Sequence, residues 1–180
     1  MNNNELYHYG VKGMKWGHHK ASLTPSQKRI SNAKTEYKLA KKDVKLARKE
    51  YSRARRTAFS ADRVKKAQDI GYKLGDAELK RIDAKAKYKA SKAKSLSKAE
   101  KAEFKTYRKE MQKSGIVGSV SDAEHNGRST AIYNHLTIKK GQAYADAVNR
   151  KVDNIIISQF CTASAVVIGA KAVQYYLNNK

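Results

Sequence analysis

The residues from Thr24 to Ala61 repeat every seven positions, and this repeat most strongly limits what the chain can fold into. One repeating position holds mainly aromatic or aliphatic side chains, and the position three residues later is always alanine. The first set is Ile30, Tyr37, Val44, Tyr51 and Ala58, and the second is Ala33, Ala40, Ala47, Ala54 and Ala61. This is the a/d seam of a helix that packs along another helix. The sequence therefore predicts a long helix with a helical partner.

The start of this helix is marked by a capping sequence. Thr24 suits the N-cap, Pro25 suits the first helical position, and Gln27 completes a capping box. From there to Ala61 the chain has neither glycine nor further proline. We therefore expect an unbroken helix, with a restart or kink near Ser60.

Two glycines, Gly71 and Gly75, interrupt the helical pattern beyond this point. The next helix is therefore predicted to begin with Asp76 as its N-cap. A capping box at residues 97–100 predicts a third helix. Together these helices form a predicted long basic arm over residues 23–114.

The charges beside the seam do not decide which helix packs against it. Glu36, Asp43 and Glu50 flank one side of the seam, and basic residues flank the other. Two parallel chains would bring these rows together with opposite charges, whereas two antiparallel chains would oppose like charges. The rows also allow a coiled-coil-like hairpin, in which Lys85 and Lys92 of the second helix face the acidic row. We favour the hairpin because a connection of modest length brings the second helix back.

The chain is strongly basic, with 39 Lys and Arg against 16 Asp and Glu and a net charge of +23. Residues 25–113 hold 29 of these bases and 11 of the acids. Such an excess is typical of a surface that meets nucleic acid or another anionic surface. The simpler interpretation is a well-solvated helix face.

The outward positions of the first helix form a band of cations without aromatic residues for base stacking. This band predicts contact with phosphates, independent of base sequence. Its signature is a steep dependence of binding on salt. The residues predicted to contact nucleic acid are Lys38, Lys42, Lys45, Lys49, Arg53 and Arg56.

Glycine and polar residues at 115–128 predict a linker, followed by a small C-terminal helical region over 129–180. We expect a short helix over 129–140 and a longer apolar helix over about 142–177. No charged residue occurs from 154 to 170, which brings this helix near the threshold for a membrane span. The pattern predicts either oligomer contact or membrane insertion. The residues involved are Ile155, Ile156, Phe160, Val166, Val167, Ile168 and Val173.

No pattern in the chain requires an enzyme. The histidines and the single cysteine, Cys161, lack the spacing of metal ligands, and neither a phosphate-binding glycine loop nor a catalytic triad is recognisable. One polar cluster stands out, for which loop capping is the simpler interpretation. Its members are Asp122, Glu124, His125, Arg128 and His135. We predict no catalytic residue, no metal and no cofactor.

Residues 1–22 fit neither helical nor strand periodicity and interleave glycines with aromatic side chains. Such a segment cannot form its own core, so it predicts a flexible tag that docks on a partner. The predicted docking residues are Tyr7, Tyr9, Gly10, Lys12, Gly13, Met14, Lys15, Trp16 and Gly17.

The run LYHYGVKGMKWG, from Leu6 to Gly17, closely resembles an N-terminal signature of tailed-phage and prophage proteins described as structural, minor head or capsid-associated. Residues 118–146 resemble the C-terminal part of the same proteins, most clearly in GRSTAIYNHL at 127–136. The chain departs from the signature at residues 18–20, where His-His-Lys replaces the usual Val-Arg-Arg. Any docking or processing step that uses the Arg-Arg pair of the signature would therefore differ in this chain.

The resemblance implies a virion or assembly role and gives no activity. With the helical arm, it predicts an all-α structural protein of the virion, internal or attached to the head. Its expected partners are capsid or head proteins, DNA and further copies of itself. The alternatives are a scaffold-like capsid assembly factor and a membrane-associated prophage protein anchored by the C-terminal helix. Because the first ten residues lack the apolar stretch of a secretory signal, we expect synthesis in the host cytoplasm.

Overall fold

The structure, a computed structural model, describes residues 23–115 and 122–178. Every regular element in these two ranges is an α-helix, which confirms the predicted all-α class. The five helices are α1 (Pro25–Arg56), α2 (Ala61–Ser91), α3 (Leu96–Gly115), α4 (Asp122–Lys140) and α5 (Gln142–Asn178).

The predicted capping box is present at the start of α1. The Gln27 backbone N–H donates to the Thr24 hydroxyl at 3.3 Å, and the Thr24 backbone N–H donates to the Gln27 side-chain oxygen at 2.9 Å. Pro25 occupies the first helical position, where its missing N–H has no partner to lose. The cap satisfies two of the backbone donors that a helix start leaves open.

α1 ends at Arg56, before the predicted end at Ala61. The Thr57 hydroxyl donates to the backbone carbonyls of Arg53 and Ala54, at 3.3 and 3.2 Å, and closes the last turn. Ser60 is extended, with φ −130° and ψ 159°, and α2 begins directly after it. At the kink predicted near Ser60 the chain therefore reverses its direction completely. This stretch contains no glycine or proline that would indicate a turn.

α1 and α2 form an antiparallel hairpin, as the sequence favoured. The Tyr37 and Tyr88 rings stack with their centroids 6.1 Å apart, and Arg48 lies 2.6 Å from the Glu78 carboxylate. Along α1 the residue numbers rise while those of the α2 partners fall, which sets the antiparallel direction. Val44, at the middle of the seam, is 5% exposed. The seam is thus covered by the chain's own second helix.

The register of the hairpin differs from the predicted one. Lys87, rather than Lys85 or Lys92, meets the acidic row, with its Nζ 3.0 Å from Glu36 Oε1. Lys85 instead pairs with Glu110 of α3, and the Lys92 ammonium lies 4.2 Å from the centre of the Tyr88 ring. The earlier turn causes the difference, because it shifts every α2 residue along α1.

α2 runs without a break through Gly71 and Gly75, so the predicted helix start at Asp76 is wrong. Glycine weakens a helix by about 1 kcal/mol relative to alanine, which packing can offset. At Gly71 the hairpin supplies a reason, since an added Cβ would lie 3.3 Å from Cε2 of Tyr51. A Cβ at Gly75 would meet nothing within 4 Å, and nothing in the structure explains that glycine.

The core is built by α2, α3, α4 and the first half of α5 together. Apolar side chains from the four helices meet at spacings of three and four residues, as on the buried faces of bundle helices. The buried members are Ile82, Ala86, Tyr107, Met111, Ile132, Leu136, Ala145, Val148 and Val152. α2 therefore has two packing faces, one toward α1 and one toward this core.

This core crosses the predicted boundary between the arm and the C-terminal region. α2 and α3 were assigned to the arm, yet they share one core with α4 and α5. α4 also begins at Asp122, so part of the linker predicted at 115–128 is helical. The second packing face of α2 was not predicted, because it includes Ala86 and alanine adds little to a periodic pattern.

α5 extends from Gln142 to Asn178, which agrees closely with the predicted bounds of about 142–177. Gly141 separates it from α4 with a φ of +92°, a conformation that glycine adopts without strain. Val148 and Val152, four residues apart on the first half of α5, are buried in the core. Beyond Ile156 the side chains described are exposed, so α5 projects from the bundle.

Candidate functional site

The six cations predicted to contact nucleic acid lie together on α1. At 100° per residue they fall within about 80° of arc around the helix axis. Lys38 and Arg56, the outermost two, are about 27 Å apart along the axis. All six side chains are exposed: Lys38, Lys42, Lys45, Lys49, Arg53 and Arg56. We call this set the basic face of α1.

The basic face points away from the protein interior. The opposite side of α1 is the alanine seam, whose residues from Ala33 to Ala54 are half-buried or buried against α2. α1 carries twelve Lys and Arg and three acids. One of these acids, Glu36, is paired with Lys87 of α2. The hairpin thus fixes one side of α1 and presents a rigid row of positive charge on the other.

A second group of charges links the helices and was not predicted from the sequence. Glu78 of α2 accepts from Arg48 of α1 at 2.6 Å and lies 2.9 Å from Arg128 Nε of α4. Arg128 also reaches Glu110 of α3, at 3.9 Å. The chain of ion pairs therefore joins four helices, and the nearest sequence signal was Arg128 in the predicted polar cluster.

Glu110 is the most buried charge of this group, at 1% exposure. Its two carboxylate oxygens accept from Arg81, at 3.0 Å, and from Lys85. Burial by itself raises the pKa of Glu110, but the Lys85 and Arg81 cations outweigh it and hold the pKa below its usual value. The carboxyl therefore stays ionised and draws α3 toward α2.

Asp83 forms another unpredicted cluster beside the core. Tyr107 donates to its carboxylate at 2.8 Å, His135 Nε2 lies 3.0 Å away, and Lys139 also donates to it. Burial raises the pKa of Asp83, whereas these three partners lower it, and the net pKa is below the usual value. Burial and the Asp83 bond raise the pKa of Tyr107, which keeps that phenol protonated as a donor.

These clusters tie the helices together. The Glu110 and Asp83 carboxylates are each held by several cations or donors from neighbouring helices. In the two described ranges, no group of three His, Cys, Asp or Glu side chains lies close enough to hold a metal ion. Of the polar cluster predicted from the sequence, Arg128 and His135 belong to different clusters. The side chains of 122–126 lie outside the description.

The C-terminal part of α5 exposes most of its apolar side chains. Ile155 and Ile156 are half-buried at the edge of the bundle, but the other five predicted residues are 56–71% exposed. They are Phe160, Val166, Val167, Ile168 and Val173. By length and composition alone, α5 could cross a membrane. Within 23–115 and 122–178, no other helix covers these side chains, and an exposed apolar surface of this kind marks an interaction site.

The predicted docking residues of the tag, Tyr7 to Gly17, lie outside the described residues. Sequence comparison bears on the same segment. Residues 1–23 match the model of a family of unknown function, DUF7211. No curated protein and no solved structure matches the chain. The chain is therefore similar to that family over its N-terminal segment.

Proposed function

We propose that this protein is a structural component of a tailed-phage or prophage virion, internal or attached to the head, which contacts DNA through the basic face of α1. The observation that carries the proposal is the row of six exposed cations opposite a buried seam. A helix held on one side leaves its cations in a fixed row. They can then meet phosphates without first being ordered.

The row is long enough to meet several phosphates of a duplex. Its length of about 27 Å corresponds to roughly eight base pairs at 3.4 Å each. Each lysine or arginine that neutralises a phosphate releases condensed counterions, and this release supplies the affinity. The face offers no aromatic side chain for base stacking, and four of its six cations are lysines, which meet phosphates as point charges. Binding is expected to be independent of sequence.

The virion assignment has separate support, the resemblance of Leu6–Gly17 to the signature of phage head-associated proteins. In this proposal the tag attaches the protein to capsid or head proteins, and the body reaches the nucleic acid. The two parts have separate tasks. A loss of DNA binding would leave attachment intact, and the reverse also holds.

DNA binding is tested with charge variants of the full chain. Changing Lys38, Lys42, Lys45 and Lys49 to Gln keeps helix propensity and removes four charges from the basic face. We expect the affinity for duplex DNA at low salt to fall at least about tenfold. Fluorescence anisotropy with a labelled duplex of mixed sequence measures it.

A matched control removes the same charge elsewhere. Lys94, Lys98, Lys101 and Lys105 are exposed at the end of the molecule formed by the α2–α3 connection. Their change to Gln lowers the net charge by the same amount and should weaken binding much less. Equal losses from the two variants would mean that only net charge attracts DNA, and the basic face would have no special role.

Location in the particle is tested by mass spectrometry of purified virions and of proheads. An internal structural protein is abundant in mature particles. A scaffold-like assembly factor, whose basic arm would meet an acidic capsid lining, is found only in proheads. Peptides from residues 1–20 in the same spectrum report whether the tag remains attached. A membrane-associated role is favoured by a different observation, the exposed apolar part of α5.

A further inference from the structure

The helix directions bring α5 and the hairpin turn to the same end of the molecule. Arg128 of α4 pairs with Glu78 of α2, and Lys139 with Asp83, so α2 and α4 run in parallel. Tyr133 of α4 donates to Asp146 of α5 at 2.6 Å across a short turn, so α4 and α5 are antiparallel. The projecting half of α5 therefore points in the direction of the hairpin turn at 57–60, although in the described residues α5 packs only on α3 and α4.

The projecting half of α5 carries no charged residue on any side from 154 to 170. At 100° per residue, Val166 and Ile157 lie on opposite sides of the helix, and Phe160 and Val167 lie between them on one flank. The other flank carries the small residues Ser158, Ala165 and Gly169. Each of the four large apolar side chains is 56–71% exposed. A helix that packs on one partner carries an apolar stripe, whereas one surrounded by hydrocarbon is apolar all round. The distribution favours an environment that covers the whole circumference.

Length and hydrogen bonding fit the same environment. Residues 155–177 extend about 34 Å, close to the roughly 30 Å of a bilayer's hydrocarbon core. The Ser158 hydroxyl donates to the Ile155 carbonyl at 2.8 Å, and the Thr162 hydroxyl donates to the Ser158 carbonyl at 2.9 Å. Because these hydroxyls are satisfied within the helix, they add little cost in hydrocarbon. Lys171, near the end, can extend its ammonium toward the headgroups.

The hairpin end toward which α5 points is basic. Arg63, Lys65 and Lys66 are exposed in the first turns of α2, beside the arginines that end α1. Clustered Lys and Arg next to an apolar helix attract anionic headgroups. One end of the molecule thus carries both an apolar helix and a cationic surface.

We propose that this end binds an anionic lipid bilayer: residues 155–177 of α5 insert into the hydrocarbon, and Arg63, Lys65 and Lys66 contact the headgroups. The competing explanation is that a second copy of the chain covers the apolar half of α5. It would seat α5 in the groove of about 920 Å³ between the hairpin and the start of α4. A groove covers one side of a helix and leaves the others in water, so the bilayer accounts better for large apolar side chains on three sides of α5.

The test uses the full chain and vesicles of phosphatidylcholine with phosphatidylglycerol, separated by flotation. Because any basic protein adheres to anionic vesicles, the floated vesicles are washed in about 1 M salt, where charge interactions are screened beyond about 3 Å. We expect the wild-type chain to stay with the vesicles. The double variant Val166→Lys, Val167→Lys should be released, because a lysine near the centre of a span weakens insertion by roughly a hundredfold.

Two controls separate insertion from misfolding. Val166 and Val167 lie outside the bundle core, so the lysine variant should keep the helical circular dichroism of the wild type. Changing both residues to Leu should preserve retention after the salt wash. Retention of the lysine variant, or release of the wild type, would overturn insertion.

The headgroup contact is tested before the wash, at low salt. Changing Arg63, Lys65 and Lys66 to Gln should lower partitioning at least about tenfold, since each surface cation contributes roughly a fivefold factor. Changing Lys94, Lys98 and Lys101 at the opposite end should have a smaller effect. Equal effects would overturn the contact. A defined dimer in sedimentation, with no flotation on these vesicles, would assign α5 to a second copy instead.

Discussion

At the scale of single residues, the most consequential position is Glu110. Its carboxylate is almost fully buried, at 1% exposure, and is held by Arg81 and Lys85 of α2. Buried ion pairs give little net stability, but removing one partner strands the others in a poorly solvated place. Glu110 therefore helps to fix the position of α3 on α2. Its effect on the free energy of unfolding is revealed by substituting it.

We expect Glu110→Gln to lower the free energy of unfolding by about 2–3 kcal/mol, at the low end for a broken buried pair because both cations are partly exposed. Urea denaturation followed by circular dichroism measures it. Glu100→Gln, on an exposed part of the same helix, is the matched control and should stay within about 0.5 kcal/mol. Equal losses from the two variants would contradict a special role for Glu110.

Acid should weaken the fold through the same carboxyls. The pKa of Glu110 and that of Asp83 are lower in the folded chain than their usual values of 4.5 and 3.8. As the pH falls through those values, the unfolded chain takes up protons first, so stability is full above about pH 5 and declines below it. Glu110→Gln removes one of the two groups. Its unfolding free energy should therefore fall less between pH 5 and pH 3 than that of the wild type.

At the scale of helices, the seam and the caps were predictable, but the position of the hairpin turn was not. The seam and the Thr24 cap are local patterns, and both are present in α1. The turn at 57–60 depends on a Thr hydroxyl closing one helix and an extended Ser60 opening the next, in a stretch without glycine or proline. At Gly71 a glycine was present but the predicted helix break is wrong, because this glycine allows a close contact with Tyr51 within a continuous helix.

The two helical glycines make a matched pair for testing that contact. Gly75→Ala should raise the unfolding free energy by about 0.5–1 kcal/mol, since alanine is the better helix former and the new methyl group meets nothing. Gly71→Ala should gain less, because its Cβ would press on the Tyr51 ring at 3.3 Å. Thermal and urea unfolding of both variants compare them directly. Identical gains would mean that the hairpin does not require a glycine at 71.

At the scale of the whole molecule, the fold separates three surfaces. The basic face lies on the outer side of α1, the ion pairs lie between helices, and the apolar half of α5 projects at the end of the hairpin turn. The basic face was predictable because it repeats with the helical period in one segment, and the apolar helix because it is one uninterrupted uncharged run. The clusters around Glu110 and Asp83 were not, because their members are 24 to 56 residues apart and meet only through the bundle.

The central claim, that the basic face of α1 meets DNA phosphates, is tested most directly by the slope of log binding constant against log salt concentration. Each phosphate neutralised contributes about 0.9 to the steepness of that slope on duplex DNA. Changing Lys38, Lys42, Lys45 and Lys49 to Gln should therefore make the slope shallower by about 3–4. The same change at Lys94, Lys98, Lys101 and Lys105 should leave it nearly unaltered. A slope that stays the same in the α1 variant, or shifts equally in both, would contradict the claim.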